Sequence, residues 1–115
     1  MVIQKDVQLK PFNTFGIEAF ANYFVEVSSV EELKNILSNP DLAPMQKLIL
    51  GGGSNMLLTQ DFQGLVIKMN IKGISIIKED NEHVWVRAGA GVVWHEFVCF
   101  CVENQYAGVE NLSLI

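Results

Sequence analysis

Positive charge is scarce in this sequence. Eight lysine and arginine residues stand against thirteen aspartates and glutamates, for a net charge of −5, and Arg87 is the sole arginine. A general nucleic-acid binder needs a basic face, so that class is excluded. Long apolar runs are missing as well, and nothing approaches the roughly 20 residues that span a bilayer. The start, Met1-Val2-Ile3-Gln4-Lys5-Asp6, lacks the apolar core of a signal peptide, so a cytoplasmic location is expected. Cysteine is limited to Cys99 and Cys101. On a helix, residues two apart point about 200° away from each other, so these two neither bridge nor share a metal. They read as free thiols of a reducing compartment.

Half of the residues are hydrophobic and 18% are charged, a balance that excludes disorder. At 115 residues the chain holds at most one domain. Ala21–Val27 is rich in aromatic and β-branched residues and predicts a strand. Ser28 and Ser29, three residues before Glu31 and Glu32, form a capping-box pattern that opens a helix. Val30, Leu33, Ile36 and Leu37 share its apolar face, and Ser38-Asn39-Pro40 ends it. The paired carboxylates Glu31 and Glu32 complement the helix dipole from the first turn, which disfavours reading them as a catalytic pair.

Strands are predicted at Lys47–Leu50 and Leu65–Lys68, followed by a hairpin. Its arms, Gly73–Lys78 and Val84–Arg87, flank the polar tetrad Glu79-Asp80-Asn81-Glu82. Gly89-Ala90-Gly91 breaks the chain before a second helix at about 93–104. There Trp94, Phe97, Val98 and Cys101 are expected to face the core, with His95, Glu96 and Glu103 in water. The predicted class is α+β, a small mixed sheet with two helices.

The most informative stretch is Gly51-Gly52-Gly53-Ser54-Asn55, directly after an apolar strand. Residues without a Cβ turn tightly and visit positive φ, and successive N–H groups can converge into an anion-binding nest. Ser54 and Asn55 add side-chain donors. A Walker loop is excluded, because Met56, Leu57 and Leu58 stand where its second glycine should be. The dinucleotide fingerprint fails too: Met56 holds the place of its third glycine, and 59–64 is too short for a crossover helix. A cradle for phosphate or pyrophosphate and a plain turn between two strands both remain open on the loop alone.

The order of several blocks narrows the choice. They are Lys10-Pro11-Phe12-Asn13-Thr14-Phe15-Gly16-Ile17, then Ile49–Leu58, then Lys72-Gly73-Ile74. Arg87–Gly91 with Trp94-His95-Glu96-Phe97 follows, and Gly108–Ile115 closes the series. Taken together, the chain from about Leu9 onward resembles the N-terminal part of the UDP-N-acetylenolpyruvoylglucosamine reductases. The resemblance implies the first subdomain of an FAD-binding domain of the vanillyl-alcohol-oxidase type. It implies FAD as cofactor, NADPH as co-substrate and a UDP-sugar enolpyruvyl ether as substrate, in peptidoglycan synthesis. Gly51, Gly52, Gly53, Ser54 and Asn55 would then donate to the FAD pyrophosphate, with Met56 and Leu57 on the adjoining wall. Gly52 stands where relatives admit larger residues, which leaves a contact through the backbone intact.

Asn13 and Thr14 are read as a structural turn, Trp94 as core, and His83 and His95 as surface residues without a role. The resemblance places the acid and its partners beyond Ile115, so no residue of 1–115 is expected to be catalytic. The apolar run Leu112-Ser113-Leu114-Ile115 suggests a chain cut within the FAD domain. Such a piece is expected to be inactive alone and prone to self-association through uncovered apolar surface. The competing reading is a self-contained, non-catalytic module that grips a nucleotide or phosphate.

Overall fold

The computed structural model describes residues 1–112; of the expected apolar run 112–115, residues 113–115 lie outside them. Six strands and two helices follow in the order β1 (Gln4–Gln8), β2 (Phe20–Val27), α1 (Val30–Ser38), β3 (Lys47–Leu50), β4 (Phe62–Met69), β5 (Ile74–Glu79), β6 (Val84–Ala88) and α2 (Trp94–Glu103). Single 3-10 turns occupy Lys10–Phe12 and Glu110–Leu112. The main sheet has the order β1-β2-β4-β3. β1 runs antiparallel to β2, whereas β2, β4 and β3 are mutually parallel. β5 and β6 form a separate antiparallel hairpin. This is the predicted mixed α+β arrangement.

β4 is the central strand, with both faces covered, and it reads accordingly as the near-continuous apolar run Leu65-Val66-Ile67. Strand alternation sends Leu65, Ile67 and Met69 to one side, where they pack with Val25, Val27, Ile36 and Leu42. Val66 points to the other side and packs with Leu9, Phe24 and Leu50 under Phe12, Met56 and Leu58. Each cluster therefore depends on β4 being in place. The predicted strand at Leu65–Lys68 extends back to Phe62, since Gly64 lies against the Gln46 backbone.

α1 begins as the capping pattern requires. The Ser29 side chain accepts from Glu32 N at 3.2 Å, and Glu32 Oε2 accepts from Ser28 N at 2.7 Å. Its apolar face is narrower than expected. Ile36 is buried and Leu33 packs beside it, but Val30 is 55% and Leu37 48% exposed. A short helix crossing the sheet presents only one i, i+3 stripe to it, so the flanking positions stay in water.

In α2, Val98 and Cys101 are buried and Phe97 is half-buried, but Trp94 is 40% exposed. Trp94 sits in the first turn with its indole N–H donating to Leu112 O at 2.7 Å, so the reading of this residue as core is corrected. The hairpin leaves Ile76 and Ile77 exposed, the kind of uncovered apolar surface on which the expectation of self-association rested. Among the described residues no helix is long and apolar enough to cross a membrane.

Candidate functional site: a cavity at the carboxyl ends of the parallel strands

Parallel neighbours cannot be joined by a tight turn and usually need a helix to bring the chain back. β3 and β4 are parallel neighbours, and residues 51–61 make that return without one. The glycine stretch is the first part of this crossover. It therefore lies at the carboxyl end of β3, where ligands of open parallel sheets commonly bind.

The three glycines do different things. Only Gly53 has positive φ, at 72°, so the expectation that the triplet as a whole uses the left-handed region narrows to one residue. A Cβ on Gly53 would overlap the Phe12 carbonyl oxygen and stand 3.0 Å from Asn13 Cα. Gly53 O in turn accepts from Thr14 N at 3.1 Å. Gly53 is thus the point where the crossover docks onto the turn after β1. That turn is held by buried Asn13, whose amide donates to Leu9 O at 2.9 Å and Ile17 O at 3.1 Å. Its side-chain oxygen accepts from Ile17 N at 3.0 Å, so Asn13 is the structural residue the sequence suggested. Gly51 and Gly52 differ from Gly53, for nothing lies within 4 Å of where their Cβ atoms would be.

That open space belongs to a cavity of about 770 Å³. Thr14, Gly51, Gly52 and Ser54 form one side of it, and Ala90, Gly91, Val92 and the start of α2 (Val93, Trp94, His95) form another. Lys68, Met69 and Lys72 complete the lining. Lys68 Nζ donates to Gly51 O at 2.6 Å, and Lys72 Nζ donates to Gly91 O at 2.8 Å. The N-cap of α2 is Val93, which has no capping side chain, and Val93, Trp94 and His95 line the cavity, so the positive end of the helix dipole lies at its wall. Among the described residues, Lys10 pairs with Glu18 and His83 with Asp80. In a chain of net charge −5, neither lysine of this cavity has a carboxylate partner among the described residues.

Of the predicted grip, Gly51, Gly52 and Ser54 line the cavity. Gly53 supports the loop from behind. Asn55 lies outside the lining and is exposed. Met56 packs into the core beneath the crossover, and Leu57 is 65% exposed. Sequence reasoning passed over Lys68, Lys72 and Thr14 as site residues. One signal was available: Lys68 interrupts the apolar run Leu65-Val66-Ile67-Lys68-Met69 of the central strand, where a charge needs a reason.

Two loops without bulk, two ammonium groups held on backbone carbonyls and a helix start without a side-chain cap suit a ligand carrying phosphate charge. The room beside Gly51 and Gly52 fits the close approach of a diphosphate.

A family model described as FAD binding domain matches residues 21–115. UDP-N-acetylenolpyruvoylglucosamine reductase of Amoebophilus asiaticus is 51% identical over 115 residues, all of this chain and 34% of that protein. Its namesake from Flavobacterium johnsoniae is 54% identical, again over 100% of this chain and 34% of the relative. This chain therefore spans about a third of the length of these relatives. The crystal structure of the Thermus caldophilus UDP-N-acetylenolpyruvylglucosamine reductase shares the fold, with a TM-score of 0.68 at 24% identity over all of this chain and 38% of that one.

Proposed function

The chain belongs to the family of FAD binding domains, and on that premise we propose that its glycine crossover grips the pyrophosphate of FAD. FAD is the cofactor of the family, and when bound it supplies hydride chemistry. The residues here bind and orient it. Gly51, Gly52 and Ser54, which line the cavity, are the proposed grip, with Gly53 bracing the loop behind them and Asn55, Met56 and Leu57 flanking it outside the lining. The observation that carries the reading is the cavity beside Gly51 and Gly52, open where side chains would stand and flanked by Lys68 and Lys72.

The relatives' names extend the proposal. The domain serves a reductase that uses NADPH to convert a UDP-N-acetylglucosamine enolpyruvyl ether to UDP-N-acetylmuramate, in cytoplasmic peptidoglycan synthesis. Within it, residues 1–115 form the first part of the FAD-binding domain and have no catalytic role. They hold the cofactor, and the groups that protonate substrate lie elsewhere in the reductase.

Titration of the purified chain with FAD tests the grip, read by quenching of Trp94 in a Trp85→Phe background. Trp94 lines the cavity, so saturable quenching that ADP or pyrophosphate competes away is the expected result. Binding of pyrophosphate and nucleotides with no preference for FAD would favour the phosphate module instead. Absence of all binding would refute both.

A further inference from the structure

Lys68 holds a position that its own strand makes unusual. It follows Leu65-Val66-Ile67 in the central strand and shares the face of Val66, the side that the 51–61 crossover covers. Its register neighbours are Glu26 on β2 and Leu50 on β3, the last residue before the glycines. An ion pair with Glu26 is the obvious use for such a cation, yet no ion pair joins them. The ammonium instead donates to Gly51 O at 2.6 Å and sits in the cavity wall with Gly51, Gly52 and Ser54.

Two consequences follow from simple chemistry. The peptide joining Gly51 and Gly52 is planar and trans, so holding its carbonyl on Lys68 also fixes the direction of the Gly52 N–H. An ammonium has three donors, and one is used on Gly51, which leaves two for a ligand in the cavity. A flexible pair of glycines is the part of the crossover least able to hold its own shape. A cation anchored on β4 supplies that shape and charge together.

We propose that Lys68 is a positioning residue of the site: it clamps the Gly51–Gly52 peptide and places a positive charge against the diphosphate of the ligand. This rests on the FAD-pyrophosphate reading given above. Lys72 donates instead to Gly91 O at 2.8 Å, and the Gly91 N–H bonds Ile71 O next to that lysine.

The test uses the full chain in three variants with FAD, inorganic pyrophosphate and riboflavin as probes. Hydrogen bonds to a charged group have net values that correspond to roughly 10- to 100-fold in affinity. Lys68→Met is expected to weaken FAD and pyrophosphate by at least about tenfold on that scale and to leave any riboflavin binding unchanged. It also flattens the decline of FAD affinity with added NaCl, because the screened charge is gone. Lys68→Arg restores most of the affinity and the salt dependence. Lys47→Met is the structural control, since that lysine also donates to backbone carbonyls, of Ala43 and Met45, but lies outside the cavity lining. FAD affinity and salt dependence equal to the parent chain in a folded Lys68→Met protein overturn the role of Lys68 and leave the cofactor reading standing. An equal loss in Lys47→Met, or equal losses for riboflavin and FAD, also overturn it. A parent chain that binds neither FAD nor pyrophosphate overturns both.

Discussion

Replacing Gly53 by alanine separates the glycine that builds the crossover from those that face the ligand. At φ 72° an L-residue costs about 1–2 kcal/mol. The added methyl also overlaps the Phe12 carbonyl and stands 3.0 Å from Asn13 Cα. Both are backbone atoms, so the strain cannot be relieved by turning a side chain. Overpacking of this kind costs about 1–3 kcal/mol. Loss of glycine's freedom in the unfolded chain returns about 0.4–1 kcal/mol. The net expectation is a destabilisation of roughly 2–4 kcal/mol, a large share of the stability of a small domain.

Gly52→Ala is the matched control, because its Cβ meets nothing within 4 Å and its φ lies outside the left-handed region. It is expected to be neutral, or to gain up to about 1 kcal/mol from the unfolded state. Urea unfolding followed by far-UV circular dichroism reads both. With a slope of about 1.5 kcal/mol/M, the Gly53→Ala midpoint falls by roughly 1.3–2.7 M. A Gly53→Ala midpoint within about 0.3 M of the parent on that scale, or an equal drop for Gly52→Ala, would refute the assignment.

Two further outcomes follow from the same surroundings. Asn13→Asp removes both amide donors from the Leu9 and Ile17 carbonyls and sets a carboxylate against them, for a loss of roughly 2–4 kcal/mol at pH 7. That carboxylate is disfavoured in the folded state, so its folded pKa lies above the unfolded one. The deficit then grows as pH rises through the carboxylate range, and urea midpoints at pH 4 and pH 7 check the sign. Burial pushes the Cys101 thiol up, whereas Cys99 is only half-buried on the same helix. Titration with a thiol reagent at pH 8 is expected to label one cysteine quickly and the other only on unfolding. Two equally fast thiols would contradict the packing of α2.

What could be read ahead of the fold was local. The hairpin, β3 and the start of α1 each carry their pattern within a few residues, and the Ser29–Glu32 cap is formed as its spacing implies. β1 went unread because Gln4-Lys5-Asp6-Val7-Gln8 has no apolar alternation. It is an edge strand held by pairing to β2 rather than by burial. The first residues of β4 read as linker, since Gly64 makes sense only beside the Gln46 backbone. Trp94 was misplaced for a related reason: helical periodicity gives its direction from the axis, but not which end of the helix the sheet leaves open.

The site followed the same rule. Gly51–Ser54 was legible because an adjacent strand and a glycine run lie together in sequence. Lys68 joined it through the parallel register of β4 with β3, and Lys72 through the segment that follows β4, and neither placement is encoded in the spacing around the glycines.

The place of β4 between β2 and β3 also dictates the order in which this chain can become stable. Without it, β2, α1 and β3 have no common sheet, since β2 and β3 touch only through the strand that comes later. Partners such as Val25 and Ile67 meet after a long loop has closed, and that entropy is lost before any contact across β4 offsets it. During synthesis β1 can already pair with β2, but β3 therefore waits without a sheet neighbour until β4 emerges. Once Phe62–Met69 arrives the parallel sheet can close, but the cavity is completed only later, when Lys72 and the stretch from Ala90 to His95 add its remaining walls.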